Sequence, residues 1–279
     1  MKKSKTPGVC VFCGRTPVTD EHLWPQRIGR LLPRSAPEAT LHAQRQFLRQ
    51  PLVGGGERSM FHNRNARGPF RSRKIRKVCG QHCNGGWMSR IEDRAARTMT
   101  PLIKGQAAHL DHEDLRLIAN WAALTSIIGE FTDLNSAAIP GSDRLALMSE
   151  WTRMRELESN AVPSLPDGWI VEIGSRQPAV AWRPTYAHVG ATWVPSGETV
   201  TNARPNVQTT TISVGHIVIR TGSTKFELSL PRDRQAEGLV EIWPRTPDSL
   251  EWPPRPSLTG EDVEWIGNIL GRARVSLPG

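Results

Sequence analysis

The chain has 279 residues, 38% of them hydrophobic, enough to bury a sizeable core and to form more than one domain, which excludes a disordered chain. No apolar run approaches the roughly 20 residues of a bilayer span, and the start Met1-Lys2-Lys3-Ser4-Lys5 leads into no apolar segment; a soluble, cytoplasmic protein without a membrane partner is expected. Of the charges behind the net +9, 20 Lys/Arg stand against 6 Asp/Glu from Met1 to Thr98, and 16 against 21 from Met99 onward, so the basic surplus, and with it any attraction for a polyanion, belongs to the first third.

Cys10 and Cys13 open the chain as a tight pair, followed by Asp20-Glu21-His22-Leu23-Trp24-Pro25. A polar insertion of about 65 residues then separates the first cysteine pair from the second, too long for a common zinc finger, so something must fold inside it. Gly54-Gly55-Gly56 reads as a turn or hinge there, since no Gly-Lys-Ser/Thr follows to cradle a phosphate. Arg64, Arg67, Arg71, Arg73, Lys74, Arg76 and Lys77, interleaved with Phe61 and Phe70, form a dense basic run suited to tracking phosphates.

Cys79 and Cys83 close the run and lead into Asn84. A helix is predicted over Gly86 to Thr98, with Trp87, Ile91 and Ala95 on one face. Glu92 and Asp93, a turn or two into this helix, either reach the site or pair with Arg90, Arg94 or Arg97 on its surface, and the surface reading is preferred. Asp111 and Asp114 signal a second helix start, which accounts for His109 and His112 as capping neighbours, and a third helix is expected from Asp143 to Leu157, capped by Ser142. Beyond Pro163, strands are predicted at Trp169 to Ile173, Ala179 to Trp182, Thr209 to Arg220 and Thr224 to Leu230, the last two turning at Gly222-Ser223. Trp252-Pro253-Pro254-Arg255-Pro256 reads as a linker, and Thr259 with Asp262 starts a closing helix. The ten tryptophans read mainly as core residues, with Trp24 and Trp87 near enough to the motifs to consider for base stacking.

Four thiols arriving as two close pairs, in a chain expected in a reducing compartment, point to a structural Zn²⁺ at Cys10, Cys13, Cys79 and Cys83. Beside it, the His22 imidazole can accept a proton from water near neutral pH, and an adjacent carboxylate can hold a hard divalent cation against a phosphate. A zinc deaminase is excluded, because neither His-x-Glu nor Pro-Cys-x-x-Cys is present.

Cys10-Val11-Phe12-Cys13-Gly14, Asp20-Glu21-His22-Leu23-Trp24-Pro25 and Cys79-Gly80-Gln81-His82-Cys83-Asn84 together resemble the HNH, or ββα-metal, endonucleases, in the subgroup stapled by two cysteine pairs. The resemblance covers about residues 8–98. It implies His22 as general base, Glu21 and Asn84 as ligands of a catalytic Mg²⁺ or Mn²⁺, and cleavage to a 5′-phosphate and a 3′-hydroxyl; Asn63, or Asn65, would orient the base. The chain departs from the family in carrying Glu21 where Asp is common, Asn84 where His is frequent, and three residues between the second cysteines in place of two. That extra residue leaves His82 as an alternative to Cys83 for the fourth zinc ligand, with Cys83 preferred because Asn84 directly follows it.

The reading is an α+β protein: an HNH-like zinc domain over 1–98 with a long basic insertion, a helical region over 99–162, and a β-rich part over 163–279 with a terminal helix. Its expected function is metal-dependent cleavage of nucleic acid, DNA favoured over RNA, with a homodimer or protein partner left to the C-terminal part. A zinc-containing nucleic-acid-binding module without turnover, and a regulatory or scaffold protein, are the rival readings.

Overall fold

The computed structural model describes residues 8–31, 40–51, 57–68, 74–132, 134–178, 185–193, 204–230, 236–268, 270 and 274–276. Strand β1 (Val18–His22) pairs antiparallel with β4 (Lys74–Gly80), from Val18 opposite Gly80 to His22 opposite Lys74, with an irregularity between Thr19 and Glu21. Between them lie α1 (Gln26–Leu31) and a long hairpin, β2 (Thr40–Pro51) and β3 (Glu57–Gly68). Strand β4 runs straight into the single turn α2 (Gln81–Cys83), a π-helical turn over Asn84–Met88, and α3 (Ser89–Ile103). Gly86, at φ −107° and ψ −111°, breaks the helical path inside that turn.

Helix α3 buries Ile91 and Ala95, as the spacing predicts, and continues past Thr98 to Ile103, burying Met99 and Leu102 as well. After β5 (Ala108–Asp111) comes α4 (His112–Glu130), whose N-terminus is held by the Asp111 carboxylate accepting from the Asp114 N–H at 2.8 Å. Helix α5 (Gly141–Glu156) is entered through Pro140; Ser142 lies inside its first turn and is not the cap. Strands β6 (Trp169–Ser175), β7 (Thr185–Trp193), β8 (Val207–Val214), β9 (Ile217–Thr224), β10 (Glu227–Ser229), β11 (Leu239–Trp243) and β12 (Ser249–Trp252) follow, then α6 (Gly260–Ile266) and β13 (Arg274–Ser276).

The molecule is thus α+β, and its main sheet has seven strands in the order β11-β6-β9-β8-β7-β2-β3. The β2–β3 hairpin from the basic insertion joins this sheet through a parallel pairing of β2 with β7. Buried α4 lies across one face: the Ser126 and Thr221 hydroxyls are 2.9 Å apart, and Gly129 leaves the room that Tyr186 fills. One hydrophobic core runs from Cys10 to Trp252, crossing the boundaries expected near 98 and 162.

Two β-region expectations change. The run Thr209 to Arg220 is not one strand: Gly215, at φ +55°, turns the chain between β8 and β9, and Gly222-Ser223 lie within β9. Trp252 ends a strand that pairs with β5, so the segment read as a linker begins as sheet. The strand expected at Ala179 to Trp182 lies outside the described residues. Thr259 and Asp262 form the anticipated capping box at α6.

Candidate metal centre and acidic site

Cys10 to Gly14 form a tight loop closed by Gly14 N–H to Cys10 C=O at 2.9 Å, and Gly14 supplies the left-handed φ of +69° that the turn requires. Val11 N–H donates to Val78 C=O at 3.0 Å, stitching the loop to β4, so α2 delivers Cys83 beside it. The Cys10, Cys13 and Cys83 sulfurs lie within 4.8 Å of one another, and none is in a disulfide. Thiolates at about 2.3 Å from a tetrahedral zinc stand about 3.8 Å apart, so these three fit one metal ion. The contact between the Cys10 and Cys83 thiols lowers Cys10, helped by the backbone amides of Cys13, Gly80 and Phe12, and raises Cys83, so the pair shares one proton more readily than either holds its own. Phe12 packs edge-on against Trp87, ring centroids 5.0 Å apart, which closes the apolar side of the cluster. Trp24 and Trp87 are both buried as core residues.

Cys79 does not join the three. Its backbone C=O accepts from the Thr19 hydroxyl at 3.0 Å within the β1–β4 ladder, and its thiol is fully buried. The next residue, Gly80, is the one turned toward the loop: a Cβ there would stand 3.8 Å from Cys10 Sγ. The extra residue between the second cysteines therefore shifts Cys79 by one strand position, to the opposite face. Burial, and then the charges of Glu21, Cys10 and Glu92, push its thiol above the ordinary range. His82 is exposed and outside the cluster.

Glu21 follows the β1 irregularity, in register opposite Ile75, and is 5% exposed, whereas Asp20 is exposed. Its Oε1 accepts from the His22 N–H at 2.8 Å, but Oε2 is buried without a hydrogen-bond partner. Burial pushes the carboxyl up to about 7, opposed by the His22 N–H and by the neighbouring Asn84 side chain. Glu21 and Asn84 are thus brought together, with partly exposed His22 next in the strand.

A residue read from sequence as surface also enters. Asp93 does face outward, in an ion pair with Arg27 at 2.9 Å. Glu92 is half-buried, and burial, and then the Glu21 charge, hold its carboxyl up to about 8. The signal available in the sequence was its spacing, three, four and seven residues ahead of Ala95, Ala96 and Met99, all buried.

Asn63 belongs to β3 of the seven-stranded sheet and not to the β1–β4 ladder. Of the basic run, Arg64 and Arg67 lie on β3, and Lys74, Arg76 and Lys77 on β4, antiparallel to the strand of Glu21 and His22; Arg71 and Arg73 lie outside the described residues, as does Gly54-Gly55-Gly56. His109 bonds Glu251 at 2.6 Å across the β5–β12 pair, and His112 opens α4. No described helix is long and apolar enough to cross a membrane.

No protein-family model, curated protein or solved structure matches this chain.

Proposed function

We propose that this chain is a divalent-metal-dependent endonuclease of the HNH, ββα-metal type, acting on phosphodiester bonds of nucleic acid, DNA before RNA. The observation that carries the reading is the Glu21 carboxyl: nearly buried, with Oε2 unpartnered, and beside Asn84. An ionised carboxylate left this way costs several kcal/mol, a cost that a bound cation would offset. The local order supports it too, since β1 carries Glu21 and His22, and its antiparallel partner β4 leads through α2 into the π-helical turn that opens with Asn84.

In this reading Cys10, Cys13 and Cys83 hold a structural Zn²⁺, and Glu21 and Asn84 hold Mg²⁺ or Mn²⁺. Such a cation polarises a phosphoryl oxygen and neutralises charge on the leaving oxygen. The His22 imidazole takes a proton from water as the water oxygen bonds to phosphorus and the bond to the 3′ oxygen breaks, leaving a 5′-phosphate and a 3′-hydroxyl protonated from solvent. Burial of Glu21 keeps competing water from its free oxygen. The basic residues of β3 and β4 and the surplus of positive charge in the first third attract the phosphate backbone.

The test is nicking of supercoiled plasmid with and without Mg²⁺ or Mn²⁺. Wild type nicks only with the cation, and His22→Ala abolishes nicking with zinc content and circular dichroism unchanged. Salt-sensitive DNA binding without cleavage under any cation would favour a binding module, and equal cleavage by His22→Ala would remove His22 from the mechanism.

A further inference from the structure

The connection between α4 and α5 and the ends of the central strands bound a cavity of about 790 Å³, within the size range of small-molecule sites. Phe131 and Arg144 line it from the helical side, and Arg204, Lys225 and Phe226 from the ends of β8 and β9. It is separate from the Glu21–Asn84 site. Arg144 lies near the start of α5, whereas Arg155, near its end, reaches the turn after Asn84, its Nη1 3.3 Å from where a Gly86 Cβ would stand. Eleven residues of helix, about 16 Å, part these two arginines.

The walls are fixed by contacts of their own. Glu130, fully buried at the end of α4, accepts from the Ala138 and Ile139 N–H groups at 3.0 Å each and from Arg144 Nη1 at 2.9 Å. The Arg144 guanidinium stands 5.3 Å from the centre of the Phe131 ring. On the sheet side, His188 Nε2 donates to the Ser136 C=O at 3.0 Å, and Phe226 packs against Trp193 with ring centroids 5.0 Å apart. Asn206 spends its amide on the Trp193 backbone, at 2.9 and 2.8 Å, and so holds the wall.

The charge of the cavity has one sign. No acid lines it among the described residues, and Glu130 matches Arg144 from behind. Arg204 and Lys225 are exposed and pair with no acid among the described residues, which leaves two unmatched positive charges at the opening. A phosphomonoester, at about −1.5 to −2 near neutral pH, matches them better than a carboxylate with its single charge. Two phenylalanines, one from each wall, supply apolar faces for a flat ring.

We propose that this cavity binds a nucleoside monophosphate, free or as the phosphorylated end of a strand, with the phosphate at Arg204 and Lys225 and the base against Phe131 and Phe226. The site does not depend on the reading of Glu21 and Asn84 as cation ligands.

The test is isothermal titration calorimetry of AMP, and separately of inorganic phosphate, into the zinc-loaded full chain in magnesium-free buffer. AMP binds wild type at least tenfold more tightly than phosphate does. Arg204→Ala with Lys225→Ala weakens AMP at least tenfold without lowering the melting temperature, since both side chains are exposed. Phe131→Leu removes most of the advantage of AMP over phosphate, and Arg245→Ala, which removes an exposed cation outside the cavity, stays within twofold of wild type. A second arm compares a short single strand with and without a 5′-phosphate. A preference for the phosphorylated strand that the double variant loses assigns the cavity to strand ends, and equal binding of the two strands with AMP still bound assigns it to free nucleotides. AMP bound as tightly by the double variant as by wild type, phosphate bound as tightly as AMP, or a wild type with neither AMP binding nor a strand preference would overturn the proposal.

Discussion

Replacing Glu21 by Gln should stabilise the metal-free protein at alkaline pH while destroying its proposed function. Glu21 is raised from 4.5 to about 7, chiefly by burial. At about 1.4 kcal/mol per pH unit, the rise from 4.5 to about 7 corresponds to roughly 3 kcal/mol. Because the folded value lies above the unfolded one, that stability is present below about pH 4.5 and is lost as pH rises through about 7. Gln keeps the shape and can still accept from the His22 N–H, but it never ionises. In magnesium-free buffer with zinc retained, Glu21→Gln should therefore melt near wild type at pH 5 and about 6 °C above it at pH 8.5, taking roughly 2 °C per kcal/mol for a chain of this size. Scanning calorimetry at both pH values reads the effect, and added Mg²⁺ at pH 8.5 should raise the melting temperature of wild type only. A variant that loses as much stability as wild type between pH 5 and 8.5 would show that Glu21 is not an uncompensated buried acid.

Metal analysis should find about one Zn²⁺ per chain, absent from Cys10→Ser, Cys13→Ser and Cys83→Ser but kept in Cys79→Ser; a zinc-free Cys79→Ser would return that thiol to the metal. Gly129→Ala should cost about 2 kcal/mol, seen as a fall in melting temperature, because the new Cβ would lie 1.8 Å from the Tyr186 hydroxyl oxygen; an unchanged value would contradict the packing of α4 on the sheet. Duplex DNA binding should weaken steeply with salt, and Arg76→Ala with Lys77→Ala should lower the salt slope by about one for each phosphate these side chains engage; an unaltered slope would place these residues away from the DNA backbone.

The local signals in the sequence read well because they are short-range. The Asp111 cap, the Thr259–Asp262 capping box and the apolar stripe of α3 depend on residues three or four apart, and all three form. What could not be read depends on partners far along the chain. Strand β2 pairs with β7 more than 140 residues later, and β5 with β12, with no periodicity to announce either. The same holds at the site: spacing suggested four equivalent cysteines, but strand alternation sends Cys79 and Gly80 to opposite faces, and only the ladder with β1 shows which residue meets Cys10. For Glu92 and Asp93 the sequence leaves both a site and a surface reading open; the spacing of Glu92 to Ala95, Ala96 and Met99 favours its burial, and the Arg27–Asp93 ion pair places Asp93 at the surface.

The proposed chemistry stands or falls on a hard-cation site at Glu21 and Asn84, beside His22 and separate from the cysteine metal. Anomalous diffraction from crystals grown with Mn²⁺, recorded at the manganese and zinc edges, tests it directly. The expected map has a manganese peak within bonding distance of Glu21 and Asn84, and a zinc peak among Cys10, Cys13 and Cys83. A map with no manganese at Glu21, or with His22 bound to the zinc, would contradict it.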